Sequence, residues 1–174
     1  MKQGAIVITL LSAIMLSLSG CAEEPRLDKG KFAELHRAAQ DLKAAIGTGK
    51  GCEVSETVVQ RLASGTAALK DKTASRAERD LLSAYGRLLA MCEDGLLLCR
   101  SQHILTGFEF VPKGRIYLTQ ELDPIVERYD LPIERHLYAP TGKYWKSIPR
   151  DSIRVIWERA GIEIKIIENM MNYS

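Results

Sequence analysis

The chain has 174 residues, with 24 Lys and Arg against 22 Asp and Glu and a formal net charge of +2. That length carries one domain with a real hydrophobic core. Near-neutral charge excludes a dedicated polyanion binder, and with 46% hydrophobic residues, no repeats and no low-complexity tract the chain is not a disordered or fibrous protein.

Chain order begins with Lys2, then an apolar run from Ala5 to Leu18, then Ser19, Gly20 and Cys21. A positive start, a short apolar stretch and small residues make the layout of a secretory signal peptide. The run is too short for a comfortable membrane span, and no charged stop-transfer segment follows it. A plain signal peptide needs no cysteine at its cleavage site, yet Cys21 follows Leu18-Ser19-Gly20 directly. These residues resemble the lipobox of bacterial lipoproteins. The resemblance implies diacylglycerol on the Cys21 thiol, cleavage before it and acylation of the new amino terminus. Such an anchor holds a chain on the membrane, since each buried methylene adds roughly 0.8 kcal/mol. Ala22, where an aspartate resembles an inner-membrane retention signal, points to the outer membrane with the domain facing the periplasm. Residues 1–20 are therefore expected to be a signal peptide and residues 21–30 a lipidated, charged tether. Residues 31–174 are left as one mainly α domain.

A first helix is expected from Lys31 to Ile46. Phe32, Leu35, Ala39, Leu42 and Ile46 share one face, and Asp28 is a candidate N-cap. Gly47-Thr48-Gly49-Lys50-Gly51 ends it. This stretch is no phosphate loop: a helix rather than a strand precedes it, and Gly51 stands where Ser or Thr belongs. A second helix is expected from Val54 to Lys70, with Gly65 marking close helix packing or a bend. Ser75 and Glu78 form a capping box that opens the strongest helix, Arg76 to about Leu98, with a stripe through Leu81, Tyr85, Leu88, Cys92 and Leu96. Short loops make residues 31–98 an antiparallel three-helix unit.

Residues 99–146 read as irregular chain. Phe108–Val111 and Arg115–Leu118 flank Pro112-Lys113-Gly114, a small β-hairpin or an ordered loop packed on the bundle. A short helix is expected from Glu121 to Tyr129, capped by Thr119. Pro132 and Pro140-Thr141-Gly142 mark breaks. Lys143, Lys146 and Arg150, interleaved with Tyr144 and Trp145, read as a solvated loop with one aromatic anchor rather than a nucleic-acid patch. A C-terminal helix over 147–174 is expected, starting near Ser147 to Asp151, with a soft point at Gly161. The alternation of Ile162, Ile164 and Ile166 leaves a terminal strand as the rival.

With Cys21 committed to lipid, three thiols remain in an oxidising compartment. Cys92 and Cys99 stand seven residues apart on one helix, roughly 10.5 Å, too far to bond. Folding the second and third helices about Thr73 sets position 52 opposite about 94. Cys52–Cys92 is therefore the expected disulfide, and Cys52–Cys99 the second choice. Cys92, Cys99 and His103 span too many turns to share a zinc ion. Neither Glu93/Asp94 nor Glu121/Asp123 forms a matched acid and base, and no nucleophile or metalloprotease motif occurs.

No catalytic residues, metal or cofactor are expected. The leading expectation is a non-catalytic envelope lipoprotein, a structural or accessory subunit that binds a protein partner at the membrane. Its candidate contacts are Phe108, Phe110, Tyr117, Tyr138, Tyr144 and Trp145. The same aromatics would equally serve as the core of an ordered region covering the bundle. The alternatives are a small-molecule or lipid binding module, and then an enzyme.

Overall fold

A computed structural model describes residues 26–54, 56–104 and 114–173. Cys21, the signal segment, Phe108 and Phe110 lie outside the described residues. The described residues form five α-helices and a small antiparallel sheet.

Helix α1 spans Ala33–Gly47, entered through a 3₁₀ turn at Lys29–Phe32. Asp28 caps that turn as expected, its carboxylate accepting from Gly30 N at 3.0 Å. Gly49 has φ 73°, which glycine adopts freely. That turn returns the Lys50 N–H to the Ala45 carbonyl at 2.9 Å and closes the helix end. Helix α2 spans Glu56–Leu69 and α3 spans Arg76–Ile104. Gly65 does mark close packing: a Cβ there would lie 2.7 Å from Leu35 Cδ2 on α1. The Ser75 hydroxyl accepts the Glu78 N–H at 3.1 Å, so half of the capping box forms as expected. The Glu78 carboxylate, however, turns to Ala74 N at 2.7 Å instead of the cap residue itself.

After α3 come strand β1 (Arg115–Tyr117), helix α4 (Asp123–Tyr129), strands β2 (Glu134–Tyr138) and β3 (Lys143–Pro149), and helix α5 (Ile153–Tyr173). The cap of α4 is Leu122, with no side-chain bond, rather than Thr119. Thr119 contributes only its carbonyl, to Leu122 N at 3.0 Å. Helix α5 runs unbroken through Gly161, which removes the terminal-strand rival. Its start is later than expected, because Ser147–Pro149 belong to β3 and a 3₁₀ turn at Arg150–Ser152 intervenes.

The sheet has strand order β1-β3-β2. β1 pairs with β3, Ile116 opposite Ile148; the expected hairpin partner, Phe108–Val111, lies outside the described residues. β2 and β3 form a hairpin where irregular chain was expected. Its turn places Gly142 at φ 65° and directs the Thr141 and Gly142 N–H groups to the Tyr138 carbonyl. The two prolines read as breakers bracket β2 rather than interrupt it.

The helices pack around one core that includes Phe32, Leu35, Leu62, Tyr85, Leu88, Ile116, Ile148, Ile156 and Ile164. Helix α5 lies antiparallel along α3. Arg87 Nη2 meets Glu163 Oε1 at 2.7 Å at one level, and Trp157 lies over Gly95 at another. The bundle therefore has two ends. One holds the entry segment at Asp28 and the start of α3. The other holds the end of α3, the start of α5 and the sheet. Glu78 and Cys99 mark these ends, roughly 30 Å apart along α3.

The disulfide joins Cys52 to Cys99, with Cα atoms 5.5 Å apart, and Cys92 is the free, buried thiol. This corrects the expected Cys52–Cys92 bond in favour of the second choice. The reason is register. Glu56 on α2 pairs with Arg100 on α3 at 2.9 Å, so the two helices fold back near Glu78 rather than at Thr73. The first turn of α3 runs past the end of α2 to reach the entry segment, which shifts every later pairing toward the end of α3. Burial pushes the Cys92 thiol up to about 12, with the neighbouring Glu93 charge adding to the effect. In the unfolded, non-reduced mature chain, thiol alkylation is therefore expected to label Cys92 alone, and in the folded chain no cysteine. Label on Cys99 in peptide mapping would restore the other pairing.

Candidate functional site

The sheet brings together residues distant in sequence and sorts them onto two faces. Strand residues alternate sides, and directly paired residues share a side. On one face β1 carries Tyr117, β3 carries Trp145 and Ser147, and β2 carries Glu134, His136 and Tyr138. Tyr117 stacks on Trp145 with ring centroids 5.9 Å apart, and Trp145 stacks on His136 at 4.1 Å. His136 Nε2 lies 2.8 Å from Ser147 Oγ and 4.0 Å from Glu134 Oε2. Glu134 also pairs with Arg115 across the top of the tier.

Of the expected aromatic contacts, then, Tyr117 and Trp145 meet. Tyr138 lies farther along the same face, opposite Lys143. Tyr144 does not join them. The pleat turns it to the opposite face, where Leu137 is its cross-strand partner. That face is divided lengthwise. Its inner half, Ile116 and Ile148, is buried in the core; its outer half ends on Leu137, 55% exposed, and Tyr144, 72% exposed. Ile133 just before β2 and Tyr138 are also exposed. The tip of the hairpin thus carries a two-sided apolar surface beyond the helical body. His136 was missed as a member of the tier. The available signal was the turn Pro140-Thr141-Gly142 between two short runs that each carry aromatic residues, without apolar alternation in either.

Ser147, His136 and Glu134 invite a hydrolase reading, which the geometry opposes. In a working triad the carboxylate orients the base through one ring nitrogen while the other faces the nucleophile. Here Ser147 and Glu134 both approach Nε2. Ser147 is also fully buried, with no surface on which a substrate carbonyl could sit. The cluster is a structural tie between β2 and β3. Two of the other carboxylates noted in the sequence, Asp94 and Asp123, are held by structural partners. Asp94 accepts from the Tyr129 hydroxyl at 2.9 Å and pairs with Arg128, and Asp123 pairs with Lys146 at 3.2 Å. Among the described residues no group of three His, Cys, Asp or Glu side chains is placed to hold a metal ion. No helix among them is long and apolar enough to cross a membrane.

Beside the disulfide lies a cleft of about 760 Å³, between the 49–53 turn, the end of α3 and the start of α5. Its walls carry Lys50 with Glu53 at 3.6 Å and Arg154 with Glu158 at 3.1 Å, so the charges largely answer one another. Its floor is Trp157, gripped between Gly51 and Gly95: a Cβ on either glycine would come within 2.7 Å of the indole. Comparison with known protein families, curated proteins and solved structures finds no match to this chain.

Proposed function

We propose that the chain is a lipid-anchored lipoprotein of the bacterial cell envelope, held at the outer membrane through Cys21, that binds a protein partner and catalyses nothing. The observation that carries this reading is the exposed apolar tip of the β2–β3 hairpin, with Leu137 and Tyr144 55% and 72% exposed. Large apolar side chains held clear of a packed body on a rigid hairpin are what a protein interface uses as anchors. Arg135 and Lys143 beside them would supply the polar rim. The tip belongs to the end of the bundle far from the entry segment, so an anchor at Cys21 leaves it free to reach into the periplasm.

The test is crosslinking in the native envelope, then detergent extraction and recovery of the tagged chain. A protein partner is expected with the natural chain and is expected to be lost with Leu137→Asp combined with Tyr144→Asp, while the thermal unfolding of the variant stays unchanged. Equal recovery from both chains would remove the hairpin from the reading. The cleft favours a second reading, a small-molecule binding module, because its volume falls within the range of ligand sites. Its paired charges argue against a lipid occupant. A small molecule carried through purification, with no protein crosslinked, would favour that reading over the first.

A further inference from the structure

We infer that the entry end of the bundle is a cationic face that seats on anionic phospholipid headgroups and stands the domain upright on the membrane. The inference rests on the anchored reading of Cys21 for its motive, but the charge and geometry belong to the fold itself.

Three pieces of chain meet at this end because of one carboxylate. Glu78 Oε1 accepts from Asp28 N at 3.3 Å and from Lys31 Nζ at 2.9 Å, and Oε2 accepts from Ala74 N at 2.7 Å. The entry segment, the α2–α3 turn and the first turn of α3 therefore form one cap. Within it two of the four acids are paired with a base. Glu78 is neutralised by Lys31 and Asp80 lies 3.7 Å from Arg76, while Asp28 accepts from Gly30 N and keeps its charge. Lys29, Lys70, Lys72 and Arg79 remain on the exposed surface of the cap, with Asp71 among them. The chain as a whole carries only +2, so this excess is local rather than a share of a generally basic surface. Tyr173, 89% exposed, ends α5 at the same end, and tyrosine is favoured at the headgroup level.

The chain before the cap says what the face meets. Only five residues, Ala22 to Arg26 with Glu23 and Glu24 among them, separate Cys21 from Leu27, which is already packed in the core. Fully extended, the six steps from Cys21 to Leu27 reach about 21 Å. A lipid on Cys21 therefore keeps this cap, and not the sheet end, close to the headgroups. Each Lys or Arg near an anionic surface adds about fivefold to binding, and the effect fades within a Debye length of about 10 Å at 0.1 M salt.

The test uses the chain from residue 22, which retains every core residue among those described (Leu27 to Ile167) and needs no lipid. It is mixed with vesicles of phosphatidylcholine alone or of equimolar phosphatidylcholine and phosphatidylglycerol, and bound protein is measured by sedimentation. Binding to the anionic vesicles only is expected, weakening as salt rises. Lys29→Gln, Lys70→Gln and Lys72→Gln together are expected to reduce it by about 100-fold. Neutralising Lys143 and Arg150 at the sheet end is expected to leave it unchanged. Thermal unfolding checks that both variants fold. Equal binding to both vesicles, no binding, or a larger loss from the sheet-end variant would overturn the inference. Lipidation is read separately, from the mass of the membrane-extracted full chain. Absence of lipid there would overturn the anchor without touching the vesicle result.

Discussion

Replacing Trp157 by alanine is expected to lower the free energy of unfolding by about 3–5 kcal/mol, among the largest effects of any single change in this domain. The ring is buried where α3, α5 and the turn beside the disulfide converge, so its removal opens a cavity that three elements share. The sharper test is Gly95→Ala. Position 95 is inside a long helix, where alanine is favoured over glycine by about 1 kcal/mol, so propensity alone predicts a gain. Contact predicts the reverse. The new methyl would stand 2.7 Å from Trp157 Cζ2 and 2.8 Å from Cη2, and a methyl added at Gly51 would stand 2.7 Å from Cδ2 and Nε1, so the indole is packed closely against both backbones. Overpacking costs about 1–3 kcal/mol, so a net loss is expected. Gly51→Ala should behave likewise. The two together should cost less than their sum, because a ring already displaced has no second clash to suffer. Urea unfolding with the disulfide intact measures all three. A stabilised Gly95→Ala would show that the indole can slide and that the grip is not tight.

The contrast between helices and strands explains what could be foreseen. The helices carry their own signal: apolar side chains at every third or fourth position need only a core to face. Phe32, Leu35 and Leu42 could be placed on the buried side without knowing what lay opposite. The strands carry almost none. β1 has three residues, and β2, with Glu, Arg, His, Leu and Tyr, has no apolar stripe of its own. It is a strand because β3 pairs with it and because Pro132 and Pro140 end it on both sides. The aromatic set shows the same limit. Tyr144 and Trp145 are neighbours in sequence, yet the pleat that puts Trp145 on His136 puts Tyr144 on the opposite face. The disulfide failed for a related reason. Counting from Thr73 assumed a symmetrical turn, whereas the first turn of α3 is drawn beyond α2 by the bonds that Glu78 makes to Asp28 and Lys31. Position 52 therefore meets 99, two turns past 92. Nothing in the sequence showed that Gly95 faces an indole; an unexplained glycine inside a long helix was the one available clue.

Glu78→Gln is expected to cost about 2–3 kcal/mol at neutral pH and to remove much of the acid sensitivity of the fold. The carboxylate is buried and takes three donors, with Lys31 Nζ the strongest influence and Ala74 N next. Together these hold its acidity down from the ordinary 4.5 to about 2. A shift of that size corresponds to roughly 3 kcal/mol, trimmed here because water still reaches one side of Lys31. The sign follows from proton linkage. Below the ordinary carboxyl range the unfolded chain takes up a proton that the folded chain refuses, so acid favours unfolding. The stabilisation is complete above about pH 4.5 and is lost as pH falls toward 2. Glutamine keeps the shape and an acceptor oxygen but has no charge to lose. Its unfolding free energy should therefore start lower and stay flatter across that window, and the two curves should converge near its acid end. Because Glu78 bonds both the entry segment and the α2–α3 turn, the variant should also weaken binding to phosphatidylglycerol vesicles at neutral pH, although it removes no positive charge. Parallel pH curves for the two chains, with unchanged vesicle binding, would show that this carboxylate neither carries the acid sensitivity nor builds the cationic cap.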